Sequence, residues 1–305
     1  MNLSEITKQP MLARLSEISA QRPEIETLIY ILGNEKILEW VHSVGVSTDH
    51  KLRDIAPNIP PFELRNIVAA PSESVFLWSG LKDAQMCANY FKNFQKNIKS
   101  DSEKILDFGC GCGRTTRFLQ EAQQFEVYGS DINKHLVAWC QDNLKMVTTM
   151  DNEVLPPLKF SDGYFDFVYS LSIFTHLPEL SMFAWLDELA RVTSDNGIVL
   201  LTTHGYPAIE IICQSKQHQQ MFQIAEDDAI KLRDTFEQKQ FVYRPLSADV
   251  VNAANAGDDY GNSFTHESFI RKHWARDVFD VIEFIPGGMR GWQDVTILRR
   301  RPRSL

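Results

Sequence analysis

The amino-acid sequence predicts an α/β protein, a mostly parallel sheet with helices packed on both faces. Three observations lead there. From residue 104 onward, short apolar runs alternate with stretches of helical spacing, the order that a parallel sheet with crossover helices requires. The first run, Lys104 to Phe108, leads into glycines at alternate positions, Gly109, Gly111 and Gly113, and the chain then opens a helix. The second run closes on an acid, Asp131, 18 residues beyond Gly113.

Residues 1–100 read as a mostly helical extension, and 101–305 as the α/β domain with an insertion at about 206–277. In the extension, Leu12 to Ile18, Ile25 to Leu32 and Ile37 to Val44 have helical apolar spacing, which Pro57, Pro60 and Pro61 then break. Leu81, Ala84, Ala88, Phe91 and Ile98 line one face of a further helix. The extension is either a packing addition or a lid over the substrate. Within the sheet, Lys104 to Phe108 is the first strand and Val127 to Ser130 the second. A helix over Asn133 to Leu144 turns Leu136, Cys140 and Leu144 to one side, and a third strand lies near Lys145 to Thr149. The turn Ser161-Asp162-Gly163 starts a fourth strand, Phe165 to Ser170. Pro178 suits the first turn of a helix whose buried stripe is Met182, Leu186 and Leu189. Asp195-Asn196-Gly197 stops it, and Ile198 to Thr203 is the fifth strand. In the insertion, Phe222, Ala225, Ala229, Leu232 and Phe236 predict one long helix, and Asp258 to His266 reads as turn-like. Phe279 to Ile285 and Asp294 to Arg299 are two closing strands, joined at Pro286-Gly287-Gly288.

The loop glycines can take positive φ and leave no Cβ in the way, so backbone amides at the helix start can approach a polar ligand. Their even spacing departs from the G-x-G-x-x-G dinucleotide fingerprint, and Asp107 stands two residues before the first of them. Open α/β sheets bind ligands at the carboxyl ends of their strands. Asp131 therefore stands where an acid meets a ribose, about 20 residues beyond the loop, and also suits a helix N-cap. Asp107, inside a strand, needs a partner, because an unpaired buried carboxylate is costly.

The unit D-x-G-x-G-x-G over 107–113, followed by Asp131, resembles the cofactor site of class I S-adenosylmethionine-dependent methyltransferases. Ser170-Leu171-Ser172-Ile173-Phe174-Thr175-His176-Leu177 resembles a bacterial branch of them acting on small molecules and sugars. Tyr260 to His266 and Gly291-Trp292-Gln293-Asp294 resemble the same branch. The resemblance implies a Rossmann-like, seven-stranded, mostly parallel sheet with a reversed last strand beside the sixth. It implies S-adenosylmethionine as cofactor, met by Gly109, Cys110, Gly111 and Gly113. Asp131 and Ile132 would lie at the adenosine, and Asp107 would orient the loop and the methionine end. Asp151 or Asn152 would lie at the adenine, and Ser170, Leu171 and His176 would wall the site.

The reaction implied is O-methylation of a small molecule or sugar. A hydroxyl acceptor needs its proton removed, and no metal site is expected to do it. His204, directly after the fifth strand, and His266, in the insertion, are the candidate bases, with Tyr206 and Tyr260 competing. Two alternatives remain within the fold: methylation of a protein or peptide, and a non-catalytic module that only binds the cofactor. A nicotinamide-dependent oxidoreductase is disfavoured by the glycine spacing.

With 305 residues and 44% apolar content, the chain can bury one large core or one core with a smaller addition. No run approaches the roughly 18 apolar residues of a membrane span, and the first residues lack a signal-peptide pattern, so neither a membrane nor export is expected. A cytoplasmic location follows. The five cysteines, two of them in the glycine loop, read as packing thiols rather than a disulfide framework. A net charge of −9 disfavours nucleic acid, and Arg299-Arg300-Arg301-Pro302-Arg303 reads as a solvated tail. Nothing in the sequence indicates an oligomeric state.

Overall fold

The computed structural model describes residues 58–95, 103–120, 125–144, 147–247 and 260–303. The helices read over 12–44, Pro57, Ile98, Asp258 and Asp259 lie outside the described residues.

The described chain begins with helix α1 (Phe62–Ile67) and the long α2 (Glu73–Phe94). Then come β1 (Glu103–Phe108), α3 (Thr116–Gln120), β2 (Phe125–Asp131), α4 (Lys134–Asn143) and β3 (Thr148–Asp151). They are followed by β4 (Phe165–Ser170), α5 (Glu179–Val192) and β5 (Thr193–Thr203). The sheet order is β3-β2-β1-β4-β5 with two closing strands, β9 (Gln293–Arg300) beside β5 and β8 (Phe279–Met289) at the edge. The first five strands are parallel, and β9 runs antiparallel to both neighbours. The seven-stranded, mostly parallel sheet with a reversed last strand is the architecture expected.

Alternation along each strand divides the core in two. Ile105, Phe167, Tyr169, Ile198 and Leu200 face one layer, with Phe76, Leu77, Ala84 and Phe91 of α2 packed on it. Leu106, Val168, Val199 and Leu201 face the other, against Met182, Trp185, Leu186 and Leu189 of α5 and Trp274. Burial of each such large side chain contributes roughly 1.5–3 kcal/mol. Helix α2 is thus part of the sheet's own cover.

The insertion holds α6 (Tyr206–Gln214), α7 (Lys216–Met221), α8 (Glu226–Lys239), β6 (Phe241–Pro245), β7 (Gly261–Thr265) and α9 (Glu267–His273). The long helix expected in the insertion is α8, which holds Ala229, Leu232 and Phe236 and is capped by Ala225, while Phe222 precedes it. Phe222 closes α7 and α8 starts at Glu226, while Phe222, Ile224, Ala229, Leu232 and Phe236 still meet in one apolar cluster. The segment read as turn-like contains β7, which pairs antiparallel with β6. Its pairing is non-local, so no local pattern announces it. The closing hairpin also differs: Pro286 to Gly288 form an irregularity inside β8, between Ile285 and Met289, and the turn itself is Arg290-Gly291-Trp292. β5 likewise starts earlier than expected, Thr193 pairing with Phe165 before a register shift. β3 starts later, at Thr148.

The arginine-rich end is no solvated tail. Arg299 donates to Phe94 O, Arg300 to Ala190 O, and Arg303 to Asp195 and to the carbonyls of Arg191 and Thr193. These bonds stitch the last strand to the helices on both faces. All five cysteines are free thiols. Among the described residues no helix is long and apolar enough to cross a membrane.

Gly205, between β5 and α6, offers a test of this packing. A Cβ there would stand 1.8 Å from the buried Asp294 carboxylate, which Gly287 N–H already holds at 2.8 Å. Gly205→Ala should cost about 1–3 kcal/mol by overpacking, read as a lower urea midpoint, and Asp294→Gly in the same chain should restore part of it. An unshifted midpoint in the single variant would show that the two groups do not meet.

Candidate functional site

The carboxyl end of β1 turns into Gly109, Gly111 and Gly113 at φ +88°, +55° and +71°, the left-handed region where a Cβ is strained. The space around them is also closed. A Cβ on Gly109 would stand 2.3 Å from Ile173, on Gly111 2.6 Å from Val68, and on Gly113 2.2 Å from Leu144. The loop is fastened to β2: Gly109 and Cys110 N–H donate to Ser130 O at 2.7 and 3.0 Å. Gly111 N–H donates to Asp131 Oδ2 at 2.7 Å. Cys110 and Cys140 Sγ both lie against Gly111 O, as packing thiols.

Asp131 ends β2 and is buried. Its Oδ1 accepts from Asn133 N–H at 2.8 Å, and Asn133 in turn caps α4 through His135 and Leu136 N–H. The acid therefore shapes the turn, while the cap itself is Asn133. Burial raises the Asp131 pKa, and the two amides oppose that rise. Each carboxylate oxygen has two lone pairs and gives one to the backbone, which leaves acceptor capacity on both. Ile132 lies between these two positions in the same turn.

Asp107 is buried inside β1, and its partners are Thr116 and Tyr169, whose hydroxyls donate to Oδ2 at 2.6 and 2.7 Å. Burial pushes its pKa up to about 7 against those two bonds. It braces α3 and β4 from beneath the loop. Asp151 and Asn152 divide in environment. Asp151 is about one-third exposed and lies 3.8 Å from both Lys134 and Lys159, whereas Asn152 is buried, accepts from Ser130 Oγ at 2.6 Å and donates to Glu153 O. Asn152 is thus the one tied into the β2 end. Ser170 Oγ donates to Phe108 O, and Leu171 is buried beside it.

The loops after β4 and β5 are joined by β7, whose one edge pairs with β6 while the other docks on them. Gly261 N–H donates to His176 O, Ser263 N–H to Thr175 O, and Thr265 N–H to His204 O. The same edge fixes two imidazoles. Gly261 O lies 2.7 Å from His176 Nδ1, and a carbonyl only accepts, so Nδ1 carries the proton and Nε2 presents a lone pair. The ring of His204 bonds to the Ser263 carbonyl, and its Nδ1 is buried with no partner among the described residues. Burial lowers the pKa of His176 to about 4 and, with the nearby His176, that of His204 to about 3. Both are neutral at physiological pH.

Tyr260 stacks on His176 at 4.4 Å and lies near enough to Asp131 that this carboxylate, after burial, raises its pKa. The ring of His204 stands 6.3 Å from His176 and is flanked by Phe222 at 5.1 Å and Trp292 at 5.8 Å. His266 lies elsewhere. Its Nδ1 caps α9 by accepting from Ser268 N–H, beside Ser268 Oγ at 2.6 Å, and its ring packs on Tyr206 and Phe236. Groups to which the sequence reading gave no role complete the site. They are Tyr169 and Thr116 under Asp107, and Gln293, which bonds Ser172 Oγ across the ends of β9 and β4.

Residues 105–197 match the family model described as a methyltransferase domain. The 2-methyl-6-phytyl-1,4-hydroquinone methyltransferase of Synechocystis sp. is 33% identical over 99 residues, 32% of this chain and 30% of that protein. A probable tocopherol O-methyltransferase of Oryza sativa subsp. japonica is 27% identical over 123 residues, 37% of this chain and 33% of that protein. The chain spans about a third of the length of these curated relatives. Among solved structures, the PH0226 protein of Pyrococcus horikoshii OT3 aligns with TM-score 0.47 and 16% identity, covering 72% of this chain and 90% of that one.

The raised pKa of Asp107 makes a prediction about stability. Its folded value, about 7, lies above the 3.8 of a free carboxyl. The stability this brings is fully present below about pH 4 and is lost as pH rises through about 7. Asp107→Asn keeps an acceptor for Thr116 and Tyr169 but does not titrate. Melting temperatures at pH 4.5, 6 and 8 should show the wild type losing ground to the variant as pH rises, and parallel curves would refute the raised pKa.

Proposed function

With a methyltransferase domain over residues 105–197 as premise, we propose that this chain moves the methyl group of S-adenosylmethionine to a hydroxyl oxygen of a small molecule or sugar. The observation that supports this best is the closed, positive-φ glycine loop fastened to a carboxylate with acceptor capacity left on both oxygens. That arrangement fits the cofactor. Asp131 would accept from the two ribose hydroxyls, the backbone of Gly109 to Gly113 would come close to the amino-acid end, and Asn152 would face the adenine side. When bound, S-adenosylmethionine supplies a methyl group already activated by a positive sulfur.

The chain's own residues then exclude water, align the acceptor and take its proton. Alignment alone can contribute several kcal/mol of barrier lowering, roughly 7–11 in the best cases. Of the two histidines expected to act as base, the geometry favours His204. Its Nδ1, at the carboxyl end of β5, is unprotonated and without a partner among the described residues, whereas His266 Nδ1 is engaged in capping α9. Tyr260, His176, Phe222 and Trp292 would wall the acceptor, aromatic faces that suit a ring. The O-methyltransferase relative among the similar proteins is consistent with oxygen as the target.

Calorimetry tests the cofactor. S-adenosylmethionine and S-adenosylhomocysteine should bind one site per chain and nicotinamide cofactors none. Asp131→Ala should weaken binding at least tenfold, from the loss of charge-assisted bonds of roughly 1.5–3 kcal/mol each. Unchanged affinity in a folded variant would sink the ribose role.

Turnover tests the base. With an acceptor in hand, His204→Gln should lower kcat about a hundredfold or more with cofactor affinity intact, while His266→Ala should mainly lower the melting temperature. Because the folded pKa of His204 is depressed to about 3, kcat/KM should show no acidic limb near 6.5. A limb there, or full turnover without His204, would place the base elsewhere.

A further inference from the structure

One edge of β7 places two imidazoles side by side. Gly261 and Ser263, two residues apart, both turn to the loop after β4, where their N–H groups donate to His176 O and Thr175 O. Their carbonyls take side chains instead: His176 Nδ1 lies 2.7 Å from Gly261 O, and the ring of His204 bonds to Ser263 O. The two rings stand 6.3 Å apart, centre to centre, and nearly perpendicular at 87°. Tyr260 stacks on His176, while Phe222 and Trp292 flank His204.

This anchoring decides what the rings can bind. A neutral imidazole has one N–H and one lone pair. Each ring gives its N–H to a β7 carbonyl, so the nitrogen left over in each can only accept. The two nitrogens of an imidazole bond in diverging directions, so the remaining one faces away from the carbonyl that holds its ring. His204 is 3% exposed, and its Nδ1 has no partner among the described residues. His176 is half-buried and leaves Nε2 as its acceptor. Two acceptors in one place, with no donor between them, call for a ligand that brings two donors. Hydrogen bonds of roughly 2.8 Å at each end let hydroxyls on adjacent carbons reach both rings.

We propose that His176 and His204 read a pair of neighbouring hydroxyls, so that the methyl acceptor is a vicinal diol, methylated at the hydroxyl on His204 and positioned by the hydroxyl on His176. The inference rests on the methyl-transfer reading above. The oxygen on His204 bonds to the methyl carbon as the carbon–sulfur bond breaks, with its electron pair left on sulfur as a neutral thioether, and the proton passes to His204. The second hydroxyl keeps its proton and donates to His176 Nε2. Such a diol belongs either to an aliphatic ring, as in a sugar, or to an aromatic one.

Ligand-observed NMR titrations into the full chain saturated with S-adenosylhomocysteine separate these sources. Two matched pairs serve as probes, catechol with phenol and 1,2-cyclohexanediol with cyclohexanol. Wild type should bind a diol about fivefold or more tighter than its mono-ol, and the pair that shows the preference tells an aromatic acceptor from an aliphatic one. His176→Asn, which keeps a donor for Gly261 O, and His176→Phe, which keeps a ring against Tyr260, should each bring that ratio to about one. A merely structural loss would weaken both members of a pair and leave the ratio as in wild type. Should one variant fail to fold, the other carries the comparison. Equal binding of diol and mono-ol by wild type, the result if water alone bridges the nitrogens, overturns the proposal, and so does binding of none of the four probes or a ratio that survives the loss of His176. These results leave the cofactor reading intact, since S-adenosylhomocysteine is bound at the outset. Wild type that does not bind S-adenosylhomocysteine overturns that reading and this site with it.

Discussion

The hydrogen bond from Gly111 N–H to Asp131 Oδ2 is the contact on which the site depends. It joins the middle of a loop that only glycine can line to the acid at the end of the neighbouring strand. Because β1 and β2 are parallel and in register from Glu103 with Phe125 to Phe108 with Ser130, their ends arrive together and the loop can close on Ser130 O as well. The register of an interior strand pair thereby sets the position of the glycine loop. Asp107 works from the opposite side, bracing the helix after the loop through Thr116 and the next strand through Tyr169. Two buried acids separated by the loop hold it from both ends, and burial raises the pKa of each, so part of the fold's stability is committed to placing carboxyl groups where apolar residues would pack more cheaply.

The second half of the site is built by a different device. β7 is short, yet both its edges are occupied, one by β6 and one by the loops after β4 and β5. A strand used in this way orients side chains through its backbone. Gly261 and Ser263 carbonyls set the tautomers of His176 and His204, and a Cβ at Gly261 would stand 2.4 Å from the Tyr243 ring and 2.6 Å from Arg244 O. The insertion is therefore more than a cover. It determines which nitrogen of each histidine is available.

These two devices differ in how well the sequence announces them. The strand, glycine loop and acid over 104–131 are local, with each residue's role following from its neighbours, and the parallel sheet follows from alternating apolar runs. Asp131 was legible as the acid that closes the second strand beside the loop for the same reason. β6 and β7 are not legible, because Gly261-Asn262-Ser263-Phe264-Thr265 has little apolar content and gains its strand conformation from partners far along the chain. The break between α7 and α8 escaped notice because Phe222, the C-cap of α7, and Phe236 of α8 serve one cluster, so apolar spacing survives where the helix does not. His266 reads as a base by composition, but only the observed bond from Ser268 N–H reveals it as a cap. The arginine run at 299–303 misled in the opposite sense, since charge alone cannot tell a free tail from side chains that satisfy carbonyls at helix and strand ends.

The junction beneath β7 carries a cost that packing does not explain. Thr175, Thr203 and Thr265 hydroxyls and His204 Nδ1 are buried without partners among the described residues, within the backbone bonds that link β4, β5 and β7. Each such group forfeits about 1–3 kcal/mol of hydration, and valine or phenylalanine in their places would have packed without that loss. A polar junction of this kind is retained where something other than stability uses it. It lies where strand ends in an open α/β sheet receive ligands, beside an imidazole kept neutral with a lone pair turned inward. The two features have one origin, since the burial that depresses the pKa of His204 also leaves its Nδ1 without a partner among the described residues.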